Sequence, residues 1–201
     1  MAGLFVTLDG PGGAGKSTLA QLIAAELAAS GHPVLTTREP SDGLLGQVAR
    51  YQTATYHGTA LACLVAADRY HHLSAEIQPA LARGVVVVCD RYVPSSYVLQ
   101  ALDRVPLDYV RQLNALAPRP HLAVLLTAAP TTLERRLIER GSHSRFEHTG
   151  SSAAEARLYD ELAQVFADDG FALHRVSTDD ISPHIAAAEI TARIAEQLSP
   201  E

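Results

Sequence analysis

Five short, largely apolar blocks recur along the chain, each followed by a longer stretch in which apolar positions return every three or four residues. The blocks are Leu4–Leu8, Val34–Thr37, Val85–Cys89, Leu122–Leu126 and Ala172–Val176. Short apolar runs without strict alternation suit strands covered on both faces. Val85–Cys89, with four valines, reads as a central one. Between them, Ser17–Ser30 sets Leu19, Leu22, Ile23 and Leu27 at helical spacing and stops at Gly31. Tyr56–Arg83 reads as one long helix closed by Gly84. Pro94–Asp103, Leu107–Ala117, Thr131–Arg140, Ala153–Phe166 and Ile181–Leu198 read as further helices. Strands alternating with helices predict an α/β fold with three layers, α/β/α, around a five-stranded parallel sheet. The 201 residues fit a single domain. The polar stretch at about 141–152 is predicted as a mobile lid segment within it.

Charge and composition narrow the function. A net charge of −6 argues against a nucleic-acid partner, which calls for a basic face. No apolar run reaches membrane-spanning length, so no membrane partner is expected. The N-terminus has no basic, signal-like start, which points to a cytoplasmic protein. Cys63 and Cys89 lie in apolar runs and read as two buried, reduced thiols. The basic residues number 16, and all but Lys16 are arginines.

That one lysine falls inside Gly10-Pro11-Gly12-Gly13-Ala14-Gly15-Lys16-Ser17, which fits G-x-x-x-x-G-K-[ST] and is followed by Thr18. The motif leaves the first strand and opens the first helix. Glycines there let backbone N–H groups crowd onto phosphates, and the helix N-terminus adds partial positive charge. Lys16 is placed to bridge the β- and γ-phosphates of a bound ATP, and Ser17 to offer its hydroxyl to Mg²⁺. Arginine serves poorly at that lysine, because a planar fork is not a compact point charge. The GTPase N/T-K-x-D motif needs a second lysine, which the chain lacks, and the transporter signature LSGGQ is absent. Small kinases remain.

A kinase whose acceptor is itself a phosphate needs further cations to hold it. Arg38 stands just after the second strand, in Thr37-Arg38-Glu39-Pro40, and Asp90-Arg91-Tyr92 follows the central strand. The carboxyl edge of a parallel sheet is where ligands bind. Asp90 is placed to reach Mg²⁺ through water and Arg91 to clamp a phosphate. In the long helix Val65 and Arg69 share a face, and the polar Asp68-Arg69 step suits a residue reaching into a cavity, the alternative being a buried pair between Asp68 and a nearby arginine. Arg135, Arg136, Arg140 and Arg145 surround the lid candidate, which on closing would bring a guanidinium to the transferring phosphoryl group. His71, His72, His143 and His148 lack metal-site spacing and are read as surface or supporting groups.

Taken together, Asp9-Gly10, Gly13-Ala14-Gly15-Lys16-Ser17-Thr18, Thr37-Arg38-Glu39-Pro40, Ala66-Ala67-Asp68-Arg69, Asp90-Arg91-Tyr92-x-x-Ser95-Ser96 and Arg145-Phe146-Glu147 resemble the thymidylate kinase family. The resemblance implies a P-loop kinase fold, ATP as donor, Mg²⁺, a nucleoside monophosphate acceptor such as dTMP, and a homodimer, for which the long helix offers a face. It implies that Arg38 and Arg91 hold the acceptor phosphate and that Arg69 reads the base. Asp9, Val65, Ser96 and Leu99 then complete the acceptor site, and Arg140 or Arg145 supplies the lid cation. Three nucleoside-reading positions depart from the family: Gly12 where an acidic residue faces the sugar, Val65 where a phenylalanine stacks on the base, and Leu99 where an aromatic excludes the ribose 2′-hydroxyl. The acceptor is therefore dTMP or a different phosphorylated molecule, and a nucleotide-gated binding protein without transfer is the reading from another class.

Overall fold

A computed structural model describes residues 3–141 and 151–198. The chain runs β1 (Phe5–Asp9), α1 (Lys16–Ala29), β2 (Val34–Arg38), α2 (Leu44–Tyr51), α3 (Gly58–His72), a π-helical turn (Leu73–Ile77), α4 (Gln78–Ala82), β3 (Val86–Asp90), α5 (Val93–Leu102) and α6 (Leu107–Leu113). It continues through β4 (Leu122–Thr127), α7 (Pro130–Arg140), α8 (Ser151–Glu161), α9 (Ala163–Asp168), β5 (Leu173–Ser177) and α10 (Pro183–Leu198). The five strands form one sheet in the order β2-β3-β1-β4-β5. All four pairings are parallel, so every strand delivers its C-terminal end to the same edge. This is the predicted α/β/α architecture.

The pleat divides the apolar blocks between two cores. Leu4, Val6 and Leu8, with Val86, Val88, Val124 and Leu126, pack against Leu19 and Ile23 of α1 and Ile190 and Ile194 of α10. Phe5, Val87, Cys89 and Leu125 turn the other way, onto Ile77, Val93, Tyr97, Tyr159 and Phe166. With both faces covered, both parities of β1 are buried, Thr7 and Asp9 included, so no exposed polar face imposes a strict alternation. Among the described residues no helix is long and apolar enough to cross a membrane.

Several predicted boundaries move. The long helix starts at Gly58 and widens into the π turn just ahead of Pro79, whose ring offers no N–H to the carbonyl one turn back. The helix read to Ala117 stops at Leu113, and the one read from Ala153 to Phe166 breaks at Leu162. Cys63 is exposed rather than buried: α3 carries small and apolar residues all round, and position 63 falls on its outer side. Helix α2 is new, because its pattern is inverted. It buries Gly46 and Ala49 while Leu44 stays 83% exposed.

The glycine at 46 is what lets α2 sit down. A Cβ there would lie 2.2 Å from the Ser41 carbonyl oxygen and 2.6 Å from its nitrogen. Ser41 cannot retreat, since its N–H and its hydroxyl both donate to Asp68, each at 2.6 Å. Gly46→Ala is therefore expected to destabilise the fold by about 1–3 kcal/mol. It should also raise the acceptor KM, because α2 carries part of a cavity wall. Thermal unfolding and steady-state kinetics on one preparation check both.

Candidate active site

β1 ends at Asp9 and the chain turns through Gly10–Gly15 into α1, whose first residue is Lys16. The turn packs against α7 so closely that a Cβ at Gly13, where φ is +84°, would lie 2.6 Å from the Leu133 carbonyl oxygen. Only glycine meets both demands. Lys16 Nζ folds back to donate to the Gly10 and Pro11 carbonyls at 2.9 and 2.8 Å. Burial and the charge of Arg91 lower its ammonium to about 8, against the pull of Asp90, Glu155 and Asp9. In front of the turn lies a cavity of about 430 Å³, lined by Gly13 through Thr18 and by Arg136, Arg140, Thr178 and Ile181. Arg136 fixes its outer wall, donating to Gly13 O at 3.4 Å, Thr178 Oγ1 at 3.0 Å and Thr178 O at 2.6 Å.

A second cavity of about 590 Å³ lies beside the first, beyond the ends of β2 and β3. Arg38, Glu39 and Pro40 come from the end of β2; Arg50 and Tyr51 from α2; Val65 and Arg69 from α3; and Ser95, Ser96, Leu99 and Gln100 from α5. Both volumes fall in the range of small-molecule sites. Ser17, Asp90, Arg91 and Arg140 line both cavities. Ser17 Oγ donates to Asp90 Oδ2 at 2.5 Å, so two oxygens stand together at that shared wall.

One of the two shared arginines is held under strain. Arg91 has φ of +74°, a left-handed conformation that costs about 1–3 kcal/mol for a residue with a side chain. Its N–H is locked onto Leu8 O at 2.9 Å, and its guanidinium reaches Gly10 O at 3.3 Å and Ser95 Oγ at 3.4 Å. Burial opposes the charge, but Glu155, Tyr159, Asp90 and Asp9 outweigh it and keep Arg91 cationic.

Beneath this wall, Asp9 Oδ1 accepts from the N–H groups of Tyr92 and Ser95, both at 3.0 Å, and from the Ser95 hydroxyl at 2.6 Å. Burial still pushes the Asp9 carboxyl above its ordinary value. Helix α8 adds two contacts one turn apart. Glu155 Oε2 accepts the Gly12 N–H at 3.1 Å, and the Tyr159 hydroxyl lies 2.9 Å from Ser95 Oγ.

Sequence comparison agrees with this geometry. The family model for thymidylate kinase matches residues 8–174. A probable thymidylate kinase of Pyrococcus abyssi is 35% identical over 196 residues, which cover 93% of this chain and 96% of that protein. The corresponding protein of Pyrococcus horikoshii is 36% identical with the same coverage. The chain belongs to the thymidylate kinase family. A thymidylate kinase of Xanthomonas oryzae is also similar, 41% identical over 141 residues that cover 69% of this chain and 62% of that protein. The family is one of phosphotransferases acting on nucleoside monophosphates.

Thymidylate kinase motifs account for most of the lining, with some corrections. Gly10, Pro11 and Gly12 do not line the first cavity. They lie behind it, where two carbonyls hold Lys16 and the Gly12 N–H is taken by Glu155. Asp9 lines neither cavity; its charge is spent on the start of α5. Arg69 is 2% exposed and pairs with Glu39 at 2.6 Å rather than with Asp68, which Ser41 occupies. Its other nitrogens donate to Asn114 Oδ1 and, at 2.9 Å, to Ser96 Oγ. Arg38 is half exposed and held by Asp42 at 2.5 Å. His72 is buried, which fits the supporting rather than the surface alternative. Arg145, His143 and His148 lie outside the described residues, as does most of the predicted lid.

Arg50, Tyr51 and Gln100 were missed as wall residues. The first two sit on the helix whose hydrophobic pattern is inverted. Gln100 lies one helical turn after Ser96, a spacing that could have flagged it. Glu155 was missed because nothing local marks a carboxylate that acts 143 residues away.

Proposed function

We propose that this chain is an ATP- and Mg²⁺-dependent kinase that moves the γ-phosphoryl group of ATP to the phosphate of dTMP, releasing ADP and the diphosphate. An acceptor phosphate oxygen attacks the γ-phosphorus as the bond from that phosphorus to the β-bridging oxygen breaks. The observation that carries the reading is the wall of Ser17, Asp90, Arg91 and Arg140 common to the two cavities. A donor in one cavity and an acceptor in the other would meet there.

In this reading Gly13–Thr18 cradle the triphosphate and Lys16 bridges its β- and γ-phosphates. Arg91 and Arg38 hold the acceptor phosphate, for which Arg38 must exchange Asp42. Arg69 and Ser96 present the base-reading edge, with Val65 and Leu99 as apolar walls. Arg140 supplies the cation from the lid side, a role shared with Arg145. Ser17 and Asp90 are a hard-oxygen pair of the kind Mg²⁺ accepts alongside phosphate oxygens. The ion, when bound, neutralises charge developing on the transferring group.

Release of ADP from Mg²⁺–ATP, followed against dTMP, dUMP, dCMP, UMP, CMP, dGMP and dAMP, tests the proposal. Strong preference for dTMP supports it; turnover of none of them overturns it in favour of another phosphorylated acceptor. Val65→Phe probes the same wall. An aromatic at this half-buried position adds a stacking surface of roughly 1 kcal/mol, so the dTMP KM should fall by about fivefold. An unchanged or higher KM would show that the base does not lie against position 65.

A further inference from the structure

We propose that His72 is a positioning residue for the acceptor cavity, setting through Glu39 the direction of the Arg69 guanidinium at the cavity wall. The inference rests on the reading of that cavity as the acceptor site. The contacts form an unbroken line from solvent to cavity. Glu76, 45% exposed at its side chain, lies 3.1 Å from His72 Nε2, which is also 2.7 Å from Thr37 Oγ1. On the other side of the ring, His72 Nδ1 faces Glu39 Oε1 at 3.4 Å. The second oxygen of Glu39 accepts from Arg69 Nε at 2.6 Å. Arg69 then lines the cavity.

The two ring nitrogens point at two different carboxylates. A neutral imidazole has one N–H and can donate to only one of them, whereas the imidazolium serves both. The surroundings favour that form. Around the ring are Thr37, Glu39 and Asp42 from β2 and the segment after it, Asp68 from its own helix and Glu76 from the π-helical turn. Burial acts to lower the His72 pKa, but the hydrogen bond and charge of Glu39, with Glu76 and Asp68, more than offset it, and the net direction is upward. The sign follows. The ring is charged in both the folded and unfolded chain well below its ordinary value of about 6.5. The interaction is complete there and disappears as pH rises through the higher folded value. The contact between His72 and Glu39 then loses its charge assistance, and the carboxylate that aligns Arg69 Nε, alongside Asn114 and Ser96 on the other nitrogens, is held less firmly.

Wild-type protein and His72→Gln, both full chain, test this in two arms. The first follows the ¹³C-labelled His72 imidazole by NMR from pH 5 to 9 without nucleotide, using the variant for assignment. The expected midpoint lies above about 6.5, and it falls in Glu39→Gln; a midpoint at or below 6.5 overturns the proposal. The second measures KM and kcat for dTMP from pH 7 to 9, a range in which the acceptor phosphate is already dianionic, its second pKa being about 6. Wild-type KM should rise about tenfold across the His72 midpoint, the size of one hydrogen bond to a charged group, with kcat within about twofold. His72→Gln should show the raised KM already at pH 7 and no pH dependence. Matching KM profiles for the two proteins would overturn the positioning role. Absence of dTMP turnover in the wild type would overturn the acceptor reading and this role with it, while the NMR midpoint still decides whether His72 holds Glu39 as a cation.

Discussion

Lys16→Ala should lower kcat for dTMP phosphorylation by about 10²- to 10³-fold, the usual cost of removing one preorganised charge from a transferring group. The fold has already prepared this ammonium. It is 7% exposed, and burial brings it down to about 8. A cation stripped of water interacts more strongly with an incoming anion than a hydrated one does. Its two tethers, Gly10 O and Pro11 O, point it along the turn without neutralising it. The measurement is ADP release at saturating Mg²⁺–ATP and dTMP, with circular dichroism to show that the variant is folded. Lys16→Arg should recover little, because the planar fork does not fit among crowded phosphates. A variant that kept more than about a tenth of the rate would place the phosphoryl transfer somewhere other than this cradle.

Glu39→Ala should be the most destabilising single change in the cavity wall. Its side chain and that of Arg69 are each 2% exposed, 2.6 Å apart. Burial opposes the Arg69 charge, and Glu39 is the largest influence that sustains it. Removing one partner leaves a charge buried without its counter-ion, at a cost of about 3–5 kcal/mol. For a chain of this length that lowers Tm on the order of 10 °C. Removing both charges is a different experiment. Glu39→Leu with Arg69→Met should restore most of the stability, since well-packed apolar pairs often replace buried ion pairs at no loss. It should not restore dTMP discrimination. If Glu39→Ala melts with the wild type, Arg69 must already be satisfied by Asn114 and Ser96 alone.

The sheet was legible because its three central strands, buried on both faces, have little freedom in composition, and the two more exposed edge strands still carry short apolar blocks: the five blocks became the five strands, each within a residue or so. The P-loop was legible because its spacing is local and its lone lysine conspicuous. What sequence pattern did not reveal shares one physical cause, long range. Helix α2 follows packing against Ser41, not hydrophobic period, so small residues face in and leucines face out. Glu39 stood beside Arg38 in plain view. That it would turn to Arg69, 30 positions on, rather than into solvent depends on how β2 and α3 pack. Asp9 sits where the chain pattern calls for a ligand contact, and what the pattern does not show is that three donors from the start of α5 converge on its Oδ1.

The wall shared by Ser17, Asp90, Arg91 and Arg140 has a thermodynamic consequence. In the proposed reading, ligands in the two cavities meet at these four residues and do not bind independently. The first to arrive neutralises part of the guanidinium charge and expels part of the water, and the second meets an altered surface. Linkage then demands reciprocity: the factor by which a non-hydrolysable donor changes the affinity for dTMP must equal the factor by which dTMP changes the affinity for that donor. Four titrations close this cycle. Truncating Arg91, which lines both cavities, should bring the coupling factor toward one, whereas truncating Arg38, which borders only the second cavity, should weaken dTMP binding and leave the factor where it was.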